Sequence, residues 1–368
     1  MHPTAAPTDR YRVRKNRTSA CSQTRTSRST RTLLLLALAA GTARCATAPL
    51  PTPHAPFPEA SADVTLQVEV AVDGEQRILT LPLEQYVAGS VPAEMPLNEP
   101  DTAVADRLAR LQAILARTYA LANRGRHAHE GFDLCSTTHC QVYIPQERQP
   151  VAVARLVAAA VEQTHGQIIT DGHGPIQALF HADCGGHTSS ATDVWGGPAP
   201  EYLVGVRDSF CVTVPNTDWH LTLNRDHLRR ILNTSQDTAI GQRLDQIAVV
   251  SRDRSGRAIS ISVVGDERRV IQGERLRAVI GEQLGPRAFR STRFRVEQQA
   301  DRILFSGQGF GHGVGLCQTG AIVQARHGEP VRAILAHYYP GTWLEPRPGA
   351  TTRLSTANSR LRRVVARR

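Results

Sequence analysis

The chain has 368 residues, 41% of them apolar, which is enough for one large or two ordinary domains with a packed core. Its formal net charge of +10 sits at the ends: residues 1 to 45 hold nine Lys or Arg and one Asp, and residues 351 to 368 hold six Arg and no acid. The 28 basic and 32 acidic residues left between 46 and 350 make the folded part slightly acidic, which argues against a nucleic-acid-binding core, since such a core carries its charge on the fold.

Residues 1–45 read as a leader. An arginine-rich stretch precedes a short apolar run, Leu33 to Ala40, and then small residues, the layout of an export signal too short to span a bilayer. This places the mature protein in the periplasm or cell envelope. Cys45 is the residue a lipid anchor would use, although Arg44 stands where a small residue is expected before a lipoprotein cysteine. The arginine- and serine-rich, acid-poor start also fits an organellar transit peptide. Residues 46–63 form a proline- and alanine-rich linker, 64–348 the folded domain, and 349–368 a basic, disordered tail.

"DVTLQVEVAV" and "QRILTLPLEQYV" alternate apolar and polar residues around "DGE", which predicts a hairpin. From Asp106 to Asn123 the apolar spacing is helical, with arginines on the opposite face. "VARLVAAAVEQTHG" predicts a second helix closed by Gly166, followed by strands in "QIIT" and "PIQALFHAD". Residues 244–281 predict two or three strands and a short helix. "FRVEQQADRILFSGQGFGHGVG" continues as strands, and "CQTGAIVQARHG" predicts a helix ending near Gly328. Mixed strands and helices without a βαβ rhythm give an α+β fold, its strands largely antiparallel. No internal repeat is evident.

Four stretches carry chemistry. In "AGSVPAEMPL", Glu94 lies between Pro92 and Pro96, which are expected to exclude regular structure and mount the carboxylate on a rigid turn ahead of the long helix. A general acid needs such a mount, although a solvated or capping glutamate has the same sequence signature. In "HAHEGFDLCSTTHCQVY", His129, Cys135, His139 and Cys140 offer the donor set of a closed tetrahedral zinc site. A Cys135–Cys140 disulfide is the competing reading in an oxidising compartment. In "HADCGGHTSS" and "EYLVGVRDSFC", Cys184 and Cys211 are a candidate disulfide, and Cys184 beside a histidine is a candidate nucleophile.

"GQGFGHGVGLCQTGA" fits neither the dinucleotide nor the phosphate-loop glycine pattern. Alternating glycines on a strand leave one face bare, so that a ligand or another backbone can approach, with His312 and Gln318 presenting hydrogen-bonding groups to a sugar. A tightly packed bend around a satisfied histidine is the alternative.

In this order the stretches "LPLEQYVAGSVPAEMP", "LQAILARTYAL", "FDLCSTTHCQVY", "VEQTHGQIIT", "FHADCGGHTSS", "GQGFGHGVGLCQTGA" and "ILAHYYPGT" resemble the SpoIID/LytB family of peptidoglycan proteins, over most of residues 78 to 343. The resemblance implies a glycan-binding cleft and a lytic transglycosylase acting on peptidoglycan strands stripped of stem peptides, with Glu94 as acid/base and a raised pKa. It further implies activity roles for Arg110 and Arg117, a structural zinc on His129, Cys135, His139 and Cys140, and a Cys184–Cys211 pair in a subgroup. His312, Gln318 and, secondarily, Tyr338 and Tyr339 are expected at the cleft, although the tyrosines equally suit the core. Arg110 replaces the usual lysine, and Thr319 the usual aromatic of the glycine motif. The alternative function is a non-catalytic glycan-binding enhancer of a cell-wall amidase. Expected partners are peptidoglycan and such an amidase, with membrane contact only through the leader or a lipid anchor. The family's name refers to sporulation, and membership does not by itself establish that role.

Overall fold

The computed structural model describes residues 64–72, 75–213 and 218–346. The leader, the linker, Cys45 and the basic tail lie outside the described residues.

Strands β1 (Thr65–Val72) and β2 (Glu75–Pro82) form the expected antiparallel hairpin, with Thr65 opposite Pro82 and Val72 opposite Glu75. Leu66, Val68 and Val70 are buried, as the period of two requires. The strand does not run on through "LEQYV". Pro82 caps helix α1 (Leu83–Glu94), which passes through Pro92 and takes Glu94 as its last residue. The expected irregular turn is therefore a helix end. Pro92 has no N–H to give the carbonyl of Ala88, and the Gln149 side chain supplies the missing donor at 3.1 Å. Met95, extended as the residue before Pro96, ends the helix.

Helix α2 (Thr102–Ala122) starts four residues before the predicted point because Asp101 caps it, accepting from the amide of Ala103 at 2.8 Å. Strand β3 (Leu134–Cys135) joins β1 in parallel, completing the sheet β2-β1-β3. Then come α3 (Val151–Gln163), β4 (Gln167–Thr170), β5 (Phe180–His181) and α4 (Ala191–Trp195). Of the predicted strand "PIQALFHAD", only Phe180 and His181 enter a ladder.

The next segment builds a core of its own. It holds β6 (Asp218–Asn224), α5 (Arg225–Leu232), β7 (Leu244–Arg252), β8 (Ala258–Gly265), β9 (Arg268–Gln272), α6 (Gly273–Leu284), β10 (Phe294–Gln298) and β11 (Arg302–Gln308). Two antiparallel sheets, β7-β8-β9 and β10-β11-β6, pack around Trp219, Ile261, Leu276, Phe289 and Phe305. The chain then returns to the first part. β12 (Leu316–Cys317) lies parallel to β5, α7 (Gln318–Arg326) and α8 (Val331–Tyr338) follow, and β13 (Trp343–Pro346) pairs antiparallel with β4. Leu108, Ile169, Leu316 and Tyr339 share one core, so the early and late segments close over each other. The architecture is α+β with mostly antiparallel sheets, as the sequence indicates. Among the described residues no helix is long and apolar enough to cross a membrane.

Candidate functional site

Glu94 closes α1 with its carboxyl half-buried. Burial raises its pKa above the ordinary value of 4.5, partly opposed by the backbone amide of Val142, which donates to Oε1 at 2.5 Å. No acidic neighbour among the described residues adds to that shift. A second clamp acts on the backbone: the side-chain Nε2 of Gln318, at the start of α7, donates to the carbonyl of Glu94 at 2.7 Å. Glu94 and Gln318, 224 positions apart in sequence, are thus brought together. The result is a partly desolvated carboxyl that keeps its proton more readily than a surface glutamate, with its side chain held by Val142 and its backbone by Gln318.

The two arginines of α2 are not at this carboxyl. Arg117, expected on an exposed face, is fully buried. Its Nε and Nη2 donate to the two carboxylate oxygens of Glu84 at 2.8 and 2.6 Å, and Nη1 donates to the carbonyl of Gln167 at 3.1 Å. This fork ties α1, α2 and β4 together at the far end of α1, ten residues from Glu94, or about 15 Å of helix rise. Arg110 pairs with Asp106 at 2.8 Å and lines a hollow with Gln163, Thr164 and Gln167. Tyr338 and Tyr339 are core residues, 2% and 0% exposed. The Tyr338 hydroxyl donates to Asp208 at 2.9 Å and that of Tyr339 to the Leu179 carbonyl at 2.6 Å, so Tyr338 does not line a cleft.

The glycine-rich stretch leaves the ladder at Gln308. Gly309, Gly311, Gly313 and Gly315 have φ of 81°, 100°, 85° and 72°, which no strand has. Its bare backbone is used by the protein itself. A Cβ on Gly315 would strike the Leu179 carbonyl, and one on Gly313 the buried guanidinium of Arg257. The stretch is a packed seam against residues 179–189, bridged at Asp183–Phe310 and Ser189–Val314, rather than an open wall for sugar. His312 is half-buried and its Nδ1 accepts from the Val314 amide at 3.1 Å, which leaves the ring proton on Nε2. Burial, the leading cause, lowers its pKa to about 4, and its ring lies 5.3 Å from that of Trp195.

The cysteine–histidine group assembles with one substitution in the expected set. His127, Cys135, His139 and Cys140 converge, while His129 points out with 78% of its side chain exposed. Cys140 Sγ is 3.3 Å from His127 Nε2 and 3.7 Å from His139 Nδ1, and Cys135 Sγ is 3.8 Å from His139 Nδ1. Tetrahedral zinc with two sulfur and two nitrogen ligands spaces neighbouring donors by about 3.4–3.8 Å, so the group fits that ion. Glu130 accepts from His127 Nδ1 at 2.6 Å, turning Nε2 toward the thiols, as carboxylates do for metal-bound histidines. The Cys135 sulfur is held to a pKa of about 3, chiefly by a hydrogen bond with Cys140. Cys135 and Cys140 are both free thiols, and two residues after Cys140 comes Val142, whose amide holds Glu94.

Cys184 and Cys211 also meet as free thiols, together with Cys317 and Asp208. Sequence reasoning missed His127, Cys317, Asp208 and the Val142 amide. The signal for the first was in "HAH", where both histidines suit the spacing, and the last has none, being a backbone group.

Residues 72–170 match the family model described as Stage II sporulation protein, SpoIID, and residues 218–315 one described as a domain of unknown function, DUF8618. The chain is 32% identical over 266 residues to an uncharacterized protein of Brachyspira hyodysenteriae, covering 71% of this chain and 66% of that protein. It is 27% identical over 290 residues to Stage II sporulation protein D of Bacillus subtilis, covering 75% and 78%. With the amidase enhancer of Bacillus subtilis it shares 25% identity over 299 residues, 70% of this chain and 40% of the enhancer.

Proposed function

Because this chain belongs to the SpoIID family, we propose that it acts on the cell wall outside the cytoplasm, as a lytic transglycosylase of peptidoglycan with Glu94 as its acid/base. The observation that carries this reading is the Glu94 carboxyl, raised in pKa by burial and held by the Val142 amide, on a backbone held by the Gln318 side chain. The protonated carboxyl gives its proton to the glycosidic oxygen as the bond from muramic acid C1 to that oxygen breaks. The carboxylate so formed takes the proton of the muramic acid C6 hydroxyl as O6 bonds to C1, which leaves an anhydro end and restores the acid. No water is consumed, so the second carboxylate of ordinary glycosidases is not needed. Glycans lacking stem peptides are the proposed substrate, and His312 and Trp195 are candidates to contact sugar near the glycine seam.

His127, Cys135, His139 and Cys140 would hold zinc in a closed, structural site that fixes the turn leading to Val142. The Bacillus subtilis amidase enhancer among the relatives favours a second reading, a glycan-binding partner of an amidase. Incubation with peptide-free glycan, followed by mass spectrometry for anhydromuramic ends, decides between the two. Anhydro product from the wild type and none from Glu94→Gln is expected. No product, or full activity in Glu94→Gln, refutes the catalytic reading.

A further inference from the structure

Three segments far apart in sequence deliver three thiols and a carboxylate to one point in the core. Cys184 follows β5, Asp208 and Cys211 lie in the stretch after α4, and Cys317 ends β12 and caps α7. All four are 0% exposed, and their donor atoms lie within 4.8 Å of one another. Cys184 Sγ is 3.4 Å from Asp208 Oδ2. A tetrahedral ion with metal–sulfur bonds near 2.3 Å and metal–oxygen bonds near 2.0–2.2 Å sets its donors about 3.5–3.8 Å apart.

The surroundings suit thiolates. The amides of Cys184 and Gly320 donate to Cys317 Sγ at 3.3 and 3.4 Å, and that of Gly186 donates to Cys184 Sγ at 3.2 Å. The guanidinium of Arg257, itself buried, donates to the Cys184 carbonyl at 3.3 Å and sets a positive charge beside the group. Asp208 is oriented as an outer shell orients a ligand. Its Oδ1 accepts from the amides of Phe210 and Cys211 at 3.1 and 3.0 Å, and its Oδ2 accepts from the Tyr338 hydroxyl at 2.9 Å. Even a methyl group at Gly320 would collide with Asp208 and Tyr338. A disulfide uses two of the sulfurs and leaves the third and the carboxylate outside the bond. A four-coordinate ion uses all four groups.

We propose that Cys184, Asp208, Cys211 and Cys317 form a second, closed site for zinc or a similarly thiophilic divalent ion, separate from the His127 group. Three thiolates and one carboxylate select such an ion over magnesium or calcium, and binding releases the thiol protons to solvent. The ion staples the start of α7 to the loops carrying Cys184 and Cys211. Gln318, the next residue, clamps Glu94, so the ion stabilises one side of that mount. The assignment holds whether the chain cuts glycan or only binds it.

The test is zinc content and geometry in the full chain, purified with its thiols reduced. About two zinc ions per chain are expected, with about 2.5 sulfurs per zinc on average by X-ray absorption, where the His127 group alone gives about 2. The variant Cys135→Ser/Cys140→Ser should keep about one zinc, and adding Asp208→Asn, which replaces a direct ligand, should lower that remaining zinc content. With cobalt in place of zinc, the same Asp208→Asn change in the otherwise wild-type chain should shift the visible bands. One zinc per chain with about 2 sulfurs, or cobalt bands that Asp208→Asn leaves unmoved, overturns the proposal. So does a quantitative Cys184–Cys211 disulfide in the exported chain.

Discussion

The Arg117–Glu84 fork separates a structural from a catalytic arginine by an asymmetry. Arg117 is fully buried, whereas 26% of the Glu84 side chain stays exposed in the first turn of α1, where the helix dipole favours a carboxylate. Glu84→Ala strands a buried guanidinium that keeps only the Gln167 and Ala113 carbonyls as partners, and should cost about 3–5 kcal/mol. Arg117→Met removes the charge, keeps most of the packed volume, and leaves a carboxylate that water can reach; about 1–3 kcal/mol is expected. The glutamate variant should therefore be the less stable by about 2 kcal/mol, a difference that urea unfolding with linear extrapolation resolves. Any loss of the proposed glycan cleavage in either variant should follow the unfolded fraction. Equal stabilities, or an Arg117→Met protein that is as stable as wild type but inactive, would show that Arg117 works at the substrate and that this placement is wrong.

Four further outcomes follow from the same geometry. Since the folded pKa of Glu94 is raised, stability should fall as pH rises from about 4.5 through that pKa, and Glu94→Gln should remove this slope in unfolding curves taken across pH 4–8. The pKa of His312 is lowered to about 4, so its contribution works the other way. Stability is lost as pH falls from about 6.5 toward 4, and the His312 ring resonances should stay those of the neutral form down to about pH 5 and reach half-titration near 4. Gln149→Leu strips the donor from the Ala88 carbonyl and should cost about 1–3 kcal/mol in urea unfolding. His127→Ala should release zinc from the proposed site near Glu94 and His129→Ala should not, as metal analysis after gel filtration would show.

Where side chains repeat with a helix or strand period, the sequence was readable. The β1–β2 hairpin, α2, α3, the β7–β8–β9 sheet and α7 were all expected from it. The misreadings share one cause, a local rule overridden by a distant partner. Pro92 looks like a helix breaker until Gln149 supplies the donor it lacks. Arg117 looks solvated on a helical wheel until Glu84 and Gln167 cover it. The alternating glycines mimic a strand with one bare face, but their positive φ angles bend the backbone into contact with residues 179–189. Cys184 and Cys211 were visible as a pair, whereas nothing local ties the third thiol, 106 positions beyond Cys211, to them.

The bond from Gln318 to the Glu94 carbonyl bears on when the molecule becomes competent. The segment matched as SpoIID ends at residue 170, so it contains the acid and the Val142 amide but not Gln318. A chain emerging N-terminus first exposes Glu94 long before its last quarter can fold back across β5 and seat α7. During that interval the backbone at Glu94 lacks the Gln318 clamp, although the Val142 amide can already reach the carboxyl. The full mount of Glu94 is thus a late product of folding, and a fragment ending at residue 170 carries Glu94 without the bond that fixes its backbone.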